Sequence, residues 1–371
     1  MQRQSLAEII RSYNSQLPLT EASTIPSAWY TDKRVYELER QTVFVNSWQH
    51  AGRVDQVNEP GRYLTIDVAG EPLVLVRGAD AELRGFFNVC RHHAAAVVTE
   101  PEGIANQLRC PYHGWTYSLD GQLHGTPDFG GVSNFERAGN GLVPVQSAAW
   151  EKWVFVRIAE SGPTLTEFLG TELIGQIQPL VLERFQWLER RHYLFECNWK
   201  VFVDNYLDGG YHVPHLHKGL DSVLDYRNYL IENGERFCLQ WSPLVRDGAE
   251  AETGAVRGGE RALYYWIYPN FMINWYSGAM DTNLVIPRGV DQTEVIFDFF
   301  FPDVSPAAME HNRASIEIGQ RIQDEDVAIC KSVQRGLTSR AYDAGRLSVR
   351  REAGEHLFHR LLSADLSSGL T

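Results

Sequence analysis

Residues 90–95, CRHHAA, and residues 110–123, CPYHGWTYSLDGQL, each contain one cysteine followed closely by a histidine. The two pairs, Cys90–His92 and Cys110–His113, are separated by seventeen residues. The chain has five cysteines in 371 residues, too few and too scattered for a disulfide framework. The closely spaced thiol and imidazole groups instead predict a metal centre held by two neighbouring loops.

The composition of this ligand set favours a Rieske-type [2Fe–2S] cluster, in which two thiolates hold one iron and two imidazoles hold the other. A zinc ion is the alternative, although zinc sites usually pair cysteine with cysteine and histidine with histidine. Trp115 and Tyr117 follow the second pair and are expected to shield the cluster from water.

A second group of metal-binding side chains occupies residues 204–217, DNYLDGGYHVPHLH, with three histidines and two aspartates in fourteen residues. Mononuclear iron(II) oxygenases bind their metal through two histidines and one carboxylate and leave the other face open. His212 and His217 do not stack on a regular helix, so Pro214 is expected to mark a distortion that brings their rings together. A pair formed by His212 and His215 is the competing assignment.

The pattern of the remaining sequence predicts two domains. The N-terminal segment favours helices, with Asp32 as an N-cap, whereas residues 45–160 form short β-rich runs broken by glycine, proline and asparagine. Longer aromatic strands follow, and residues 306–333 show helical periodicity. The predicted fold class is α+β, with a small antiparallel β domain at 45–160. The second domain, formed by 1–44 and 161–371, is expected to combine a large antiparallel sheet with a long C-terminal helix.

The composition excludes several classes of protein. Hydrophobic residues make up 44% and charged residues 22% of the chain, which is typical of a globular protein rather than a disordered one. The formal net charge of −13 would repel the phosphate backbone of a nucleic acid. The sequence has no run of 18 apolar residues and no apolar signal core near its start. We therefore expect a cytoplasmic protein that neither spans a membrane nor binds nucleic acid.

The two Cys–His stretches and several later segments resemble the Rieske non-haem iron oxygenase α subunits of the aromatic-ring-hydroxylating superfamily. The later segments are NWKVFVDNY at 198–206, YPNFMIN at 268–274 and QDEDVAICKSVQRG at 323–336. The resemblance extends over residues 30–340. His93-Ala94 replaces the Arg-Gly that often follows the first histidine, and this variant is similar to choline monooxygenases and their bacterial relatives.

The resemblance implies a Rieske domain, a catalytic domain of the helix-grip (START-like) type, and a homotrimer served by a separate NAD(P)H-dependent reductase or a ferredoxin. It implies that electrons pass through the [2Fe–2S] cluster to a mononuclear Fe(II) site. There, dioxygen is cleaved and oxygen is inserted into a C–H bond of the substrate. Monooxygenase and dioxygenase activity both remain open.

The resemblance also assigns the metal ligands. The implied ligands are Cys90, His92, Cys110 and His113 for the cluster, and His212, His217 and Asp326 for the iron. Family members draw the carboxylate ligand from a C-terminal helix, a few residues before a glutamine, and Asp326 lies eight residues before Gln334. Glu325 is the alternative carboxylate.

A bridging carboxylate is expected beside the iron histidines. Family members carry it three residues before the first iron histidine, and that position is Gly209 in this chain. Asp208 is expected to join a cluster histidine of one protomer to an iron-ligand histidine of the next, with Asp204 as the alternative. Asn205 completes the predicted catalytic set.

The substrate is expected to be a quaternary ammonium compound such as choline. The aromatic segment that follows the iron histidines is similar to that of choline monooxygenase. Its side chains Tyr264, Trp266, Trp275 and Tyr276 could supply π-faces around a trimethylammonium group, with Asp281 adding charge. One alternative is a monocyclic aromatic or other apolar substrate. Another, from a different class, is a non-catalytic Rieske electron carrier or START-like ligand-binding protein.

Overall fold

The computed structural model describes residues 4–245 and 259–370. The chain divides into two compact units, one formed by Phe44–Phe168 and the other by Met1–Val43 together with Leu169–Thr371. None of the described helices combines the length and apolar composition needed to cross a membrane.

The helices and strands are labelled in chain order. The helices are α1 (Leu6–Arg11), α2 (Ser27–Thr31), α3 (Lys33–Glu39), α4 (Leu165–Ile177), α5 (Trp199–Leu207), α6 (Val213–Leu216), α7 (Lys218–Asp221), α8 (Met309–Leu337) and α9 (Ala353–Ser368). The strands before α4 are β1 (Gln49–Arg53), β2 (Arg62–Val68), β3 (Glu71–Arg77), β4 (Leu83–Phe87), β5 (Glu102–Ile104), β6 (Leu108–Arg109), β7 (Thr116–Tyr117), β8 (Leu123–Gly125), β9 (Pro144–Trp150) and β10 (Trp153–Arg157). Those after α4 are β11 (Gln186–Phe195), β12 (Leu230–Asn233), β13 (Phe237–Pro243), β14 (Arg261–Ile267), β15 (Phe271–Trp275), β16 (Met280–Pro287) and β17 (Thr293–Phe301).

The smaller unit is built from antiparallel strands. Seven of them form a sheet in the order β1-β10-β9-β4-β3-β2-β5, and β6, β7 and β8 form a separate small sheet. Successive side chains of a strand point to opposite faces, so β3 serves two cores. Val74 and Val76 pack into the core that contains Cys90, whereas Leu73 and Leu75 pack into a second core on the other face. The small sheet places the residues after Cys110 beside the first of these cores.

The larger unit contains a seven-stranded antiparallel sheet in the order β11-β17-β16-β15-β14-β13-β12. Strand β11, the first of this sheet in the sequence, pairs with β17, the last in the sequence. This pairing brings residues that are far apart in the sequence to neighbouring positions. Asp32 caps α3 by accepting a hydrogen bond from the backbone N–H of Arg34, as the sequence predicts. The predicted α+β organisation, with a large sheet and a long helix near the C-terminus, is confirmed.

Helix α8 explains how a polar helix can carry a buried ligand. It is 29 residues long, and its buried face includes Ile316, Gln323, Asp326, Cys330 and Gln334, which recur every three to seven residues. That spacing keeps one stripe of the helix against the core. Asp326 lies on this stripe, so its carboxylate points inward rather than into water.

Candidate metal centres and substrate pocket

Two loops of the smaller unit hold the predicted cluster ligands, and their backbones repeat one pattern. The N–H of Cys90 donates to the carbonyl of Ala95 at 2.8 Å, and that of Ala94 donates to the carbonyl of Cys90 at 3.0 Å. The loop at residues 110–115 makes the same two bonds, at 2.8 and 3.1 Å. The fifth residue of each loop has a left-handed backbone, with φ of 60° at Ala94 and 71° at Gly114. The two loops therefore share one backbone frame, although the histidine is the third residue of the first loop and the fourth of the second.

The four predicted ligands of the cluster lie together. Cys90 and Cys110 are buried, and their thiols are within hydrogen-bonding reach of each other. The rings of His92 and His113 are 4.7 Å apart between centroids. The Nδ1 atom of His92 is buried and has no hydrogen-bond partner among the described residues, so it fits a metal-bound nitrogen. Burial raises the pKa of the Cys110 thiol, so metal ions must displace its proton on binding.

Two aromatic side chains cover this site from the protein side. Trp115 stacks on His92, with 4.7 Å between centroids and an interplanar angle of 6°. The Tyr117 hydroxyl lies 3.4 Å from Sγ of Cys90 and accepts a hydrogen bond from the backbone N–H of Arg91. Both rings are almost fully buried. They occupy the shielding positions that the sequence predicts.

The larger unit brings together His212, His217 and Asp326. One donor atom from each lies within 4.8 Å of the others, and Nε2 of His217 is 3.1 Å from Oδ1 of Asp326. The backbone explains the convergence of the two rings. Pro214 lies in the single turn of α6, and His217 leaves the helical conformation with φ of −107° and ψ of 74°. The rings then face each other at 81°, with 4.8 Å between centroids.

A further carboxylate contacts Nδ1, the outer ring nitrogen, of each of these two histidines. Nδ1 of His212 lies 2.6 Å from Asp208, and Nδ1 of His217 lies 2.6 Å from Glu325. This arrangement leaves the Nε2 atoms for a metal and fixes the orientation of each ring. Burial lowers the pKa of His217, but hydrogen bonds and charges from Asp326 and Glu325 outweigh it and raise that pKa above its ordinary value. Glu325 therefore supports a ligand, and the structure does not favour it as the alternative ligand.

Two glycines allow Asp208 to reach His212. Gly209 and Gly210 both have left-handed backbones, with φ of 68° and 67°. A Cβ on Gly209 would lie 2.1 Å from the carbonyl oxygen of Arg351, so only glycine fits there. The resulting tight turn directs the backbone N–H of His212 to the Asp208 carboxylate at 3.0 Å. The DGG sequence thus places the Asp208 carboxylate beside His212, four residues later in the chain.

The remaining predicted residues near this centre lie in three different settings. The side-chain amide of Asn205 donates to Asp326 at 3.0 Å, which helps to orient that carboxylate. Asp204 is turned away from His212 and hydrogen-bonded to Tyr30 instead. His215, the competitor of His217, is exposed and outside the group of donors.

A pocket opens beside these three donors. Its further lining includes Tyr206, Tyr229, Tyr264, Tyr276, Gln240, Asn274, Asp281 and Asn283. The hydroxyls of Tyr264 and Tyr276 are 2.6 Å apart. The buried carboxylate of Asp281 accepts hydrogen bonds from Asn274 at 2.7 Å and from Asn283 at 3.1 Å. The pocket thus combines aromatic rings with a buried acidic group.

The structure corrects the predicted substrate contacts of the two tryptophans. Trp275 lies between Asn274 and Tyr276, which both line the pocket, so the alternation of the strand turns its ring to the other face. Trp266 lies beneath α9, where Phe358 contacts it at 5.6 Å between centroids. Sequence reasoning missed Tyr206 and Tyr229, because they come from α5 and from a connecting segment rather than from the aromatic strands.

A cluster site and a triad of two histidines and one carboxylate define a two-centre Rieske-type oxygenase. Comparisons with known proteins agree. The family "Ring hydroxylating alpha subunit (catalytic domain)" matches residues 182–368, and "Rieske [2Fe-2S] domain" matches residues 47–136. The chain belongs to the ring-hydroxylating α subunits and is the terminal oxygenase component of a Rieske non-haem iron oxygenase. Membership implies a Rieske cluster and a mononuclear iron, which decides against the zinc and electron-carrier alternatives.

Within this family the chain is similar to enzymes of quaternary ammonium compounds. It is 39% identical to a chloroplastic choline monooxygenase of Arabidopsis thaliana, covering 97% of this chain and 87% of that protein. It is 29% identical to a carnitine monooxygenase oxygenase subunit of Escherichia coli strain K12, covering 92% and 94%. A solved quaternary ammonium Rieske monooxygenase bound to L-carnitine matches with a TM-score of 0.81 and 28% identity, covering 92% of this chain and 95% of that one.

Proposed function

We propose that this oxygenase hydroxylates a small quaternary ammonium alcohol of the choline type. Dioxygen is the co-substrate, and electrons come from NAD(P)H through a separate reductase or ferredoxin. The observation that carries the proposal is the buried carboxylate of Asp281 in an aromatic pocket beside His212, His217 and Asp326. The similarity to choline and carnitine monooxygenases supports the same substrate class.

The pocket has the features that a trimethylammonium group needs. Burial raises the pKa of Tyr206 and Tyr229 well above the ordinary value, so both rings carry neutral hydroxyls. Electron-rich faces of such rings attract a desolvated cation by about 2 kcal/mol or more. Asp281 places a negative charge at the same pocket. A cation would be attracted by that negative charge, whereas a neutral monocyclic aromatic substrate would not, so the pocket favours a cation.

The charged residues that line the pocket also favour choline over carnitine as the substrate. Among the described residues that line it, none is a lysine or an arginine. A substrate with its own carboxylate would therefore lie near Asp281 and Asp326 without a cationic partner, and burying an unpaired charge is costly. A hydroxyl group needs only a hydrogen bond, which the paired hydroxyls of Tyr264 and Tyr276 can supply. This contrast leads us to propose choline rather than carnitine.

The chain's own residues would prepare the iron centre for this reaction. We propose His212, His217 and Asp326 as iron ligands, because their donor atoms converge at the pocket. A bound iron supplies the oxygen chemistry. Asp208 and Glu325 hold the outer nitrogens of the two histidines, which keeps Nε2 of each ring available for metal.

We also propose that residues 45–160 form the cluster domain, with Cys90, His92, Cys110 and His113 as its ligands. The burial and proximity of these side chains support this assignment. The five cysteines are all buried and form no disulfide with one another, which suits the reducing environment of a cytoplasm.

Asp208 is our proposed bridge for electron transfer between protomers of a homotrimer. It already contacts the outer nitrogen of His212. A solved quaternary ammonium Rieske monooxygenase, 27% identical and with a TM-score of 0.82, is described in terms of inter-subunit electron transfer. Asp204 is less suited to this role, because the hydroxyl of Tyr30 donates to its carboxylate at 2.5 Å.

Substrate-dependent oxygen uptake tests the proposed substrate. The assay would combine the purified protein, NADH and a surrogate reductase with choline, L-carnitine or 3,3-dimethylbutan-1-ol, the neutral isostere of choline. We expect coupled product formation with choline and at least about tenfold lower kcat/KM with the other two, or roughly 1.4 kcal/mol of transition-state stabilisation. Asp281→Asn should raise KM for choline and leave the weak reaction of the isostere unchanged.

The matched control is Asp291→Asn, which removes the same charge from an exposed position outside the pocket. Its kinetics should equal those of the wild type. Equal turnover of choline and L-carnitine would refute the proposed selectivity. Equal effects of the two Asn variants would show that Asp281 acts only through the net charge of the protein.

A further inference from the structure

The larger unit contains a second group of metal-compatible donors besides His212, His217 and Asp326. It consists of Asp204, Glu355 and His359, and one donor atom from each lies within 4.8 Å of the others. Nε2 of His359 is 3.1 Å from Oδ1 of Asp204 and 3.9 Å from Oε1 of Glu355. The donors of His212, His217 and Asp326 lie within the same 4.8 Å limit.

The secondary structure preorganises these donors. Glu355 and His359 are four residues apart on α9, so they lie on the same face of that helix. Asp204 comes from α5, and its second oxygen accepts a hydrogen bond from the hydroxyl of Tyr30 at 2.5 Å. That bond orients the carboxylate in the way that outer-shell partners orient metal ligands. The group therefore joins two helices that are far apart in sequence.

The carboxylate of Glu355 lacks the partners that burial normally requires. The residue is only 6% exposed, and His359 is 0% exposed. Among the described residues no hydrogen bond reaches Glu355, and its one ion-pair contact is the 3.9 Å approach to His359. A buried carboxylate without a hydrogen-bond donor or a cation costs several kcal/mol, so a group of the opposite charge is expected beside it.

Neighbouring negative charges destabilise the ionised form of Glu355 further. Burial raises the pKa of Glu355 well above its ordinary value, and the negative charges of Asp204, Glu352 and Asp208 raise it further. Because a raised pKa favours the protonated carboxyl, a bound cation would have to displace that proton, and the imidazole of His359 lies beside the same carboxyl groups. One nitrogen and two carboxylate oxygens form a donor set used for zinc, manganese and iron(II).

We propose that Asp204, Glu355 and His359 bind one divalent transition-metal ion, separate from the iron of the active site, that ties α5 to α9. The site is structural, because it lies outside the substrate pocket. It does not depend on the proposed substrate. It predicts one divalent ion per chain beyond those of the two redox centres.

Metal binding to the Asp326→Ala variant isolates this site, since that variant lacks a ligand of the catalytic iron. The purified variant, stripped with a mild chelator under conditions that preserve the cluster absorbance, would be titrated with Co²⁺ in equilibrium dialysis. We expect one Co²⁺ per chain and ligand-field absorption in the visible region. Adding Glu355→Gln should remove this binding, and His359→Gln should do the same as an independent variant.

The matched control is Glu352→Gln on the same Asp326→Ala background, because Glu352 lies near the group but is not one of its three donors. It should retain one Co²⁺ per chain. Circular dichroism and thermal melting would verify that each variant is folded. Absence of Co²⁺ binding to the folded Asp326→Ala protein, or binding unchanged by both donor substitutions, would overturn the proposal and leave a proton as the counter-charge of Glu355.

Discussion

The two redox centres of this protein differ in how far apart in the sequence the residues that form them lie. The cluster loops lie within residues 90–115, and each loop is closed by hydrogen bonds between residues four or five positions apart. The iron triad instead joins His217 to Asp326, which are 109 residues apart, through the closure of β11 onto β17 and the packing of α8. The first centre is therefore specified by local backbone geometry, and the second by the tertiary fold.

The largest effect should follow from removing a ligand of the local centre. His113→Ala removes one of the four proposed ligands, so the cluster should be lost and turnover abolished. The larger unit has its own sheet, so it should remain folded and keep its iron. Paramagnetic resonance of the reduced variant checks this, and an unchanged anisotropic Rieske signal would contradict the assignment of His113.

Asp326→Ala should break the long-range centre while sparing the local one. A site with three protein ligands has no spare donor, so iron occupancy and turnover should fall below detection while the cluster remains reducible. Iron analysis and dithionite titration measure the two centres separately.

Glu325→Gln provides the comparison for this variant, because Glu325 contacts the outer nitrogen of His217 rather than the metal position. It should retain iron and lose roughly 10- to 100-fold in iron affinity or activity. If Glu325→Gln lost all iron while Asp326→Ala retained it, the assigned roles of the two carboxylates would have to be exchanged.

Asp208→Asn tests the connection between the centres and should have an intermediate effect. The amide preserves the shape of Asp208 but removes the negative charge beside Nδ1 of His212. Both metals should remain bound, and cluster-to-iron electron transfer should slow by roughly 10- to 100-fold. Single-turnover reoxidation of the pre-reduced cluster measures this rate. A wild-type rate would exclude Asp208 as the bridge and favour Asp204.

The difference between the centres also explains what could be predicted from sequence. Local patterns grouped Cys90, His92, Cys110 and His113 as predicted ligands, because short loops place such side chains together wherever the domain lies. The N-cap Asp32 was predictable for the same reason. The resemblance to a family, rather than periodicity, was needed to select Asp326 from a helix with several acidic residues.

Tertiary information was required for the rest of the site. The sequence indicated an aromatic pocket but did not reveal that Trp266 packs under α9, because that helix was not predicted at all. Tyr229 reaches the pocket from a connecting segment. The buried group of Asp204, Glu355 and His359 arises only when α5 and α9 meet, so no local pattern indicated it.

The smallest predicted effect compares the two cluster loops with each other. Ala94 and Gly114 occupy equivalent positions with φ of 60° and 71°, a conformation that costs a residue with a Cβ about 1 kcal/mol. Ala94→Gly should relieve this strain but increase the entropy of the unfolded chain. The two effects nearly cancel, so the free energy of unfolding should change by less than about 1 kcal/mol.

Gly114→Ala should be more damaging, because it adds a steric contact to the same two opposing effects. The new Cβ would adopt the left-handed conformation and also lie 3.2 Å from a guanidinium nitrogen of Arg109. We expect a loss of about 1–2 kcal/mol in the stability of the cluster domain and faster bleaching of the cluster during heating. Denaturant unfolding followed at the cluster absorbance measures both variants. If Gly114→Ala were as stable as Ala94→Gly, the two loops would not require a left-handed backbone at their fifth residue. Their similarity would then consist only of the shared backbone hydrogen bonds.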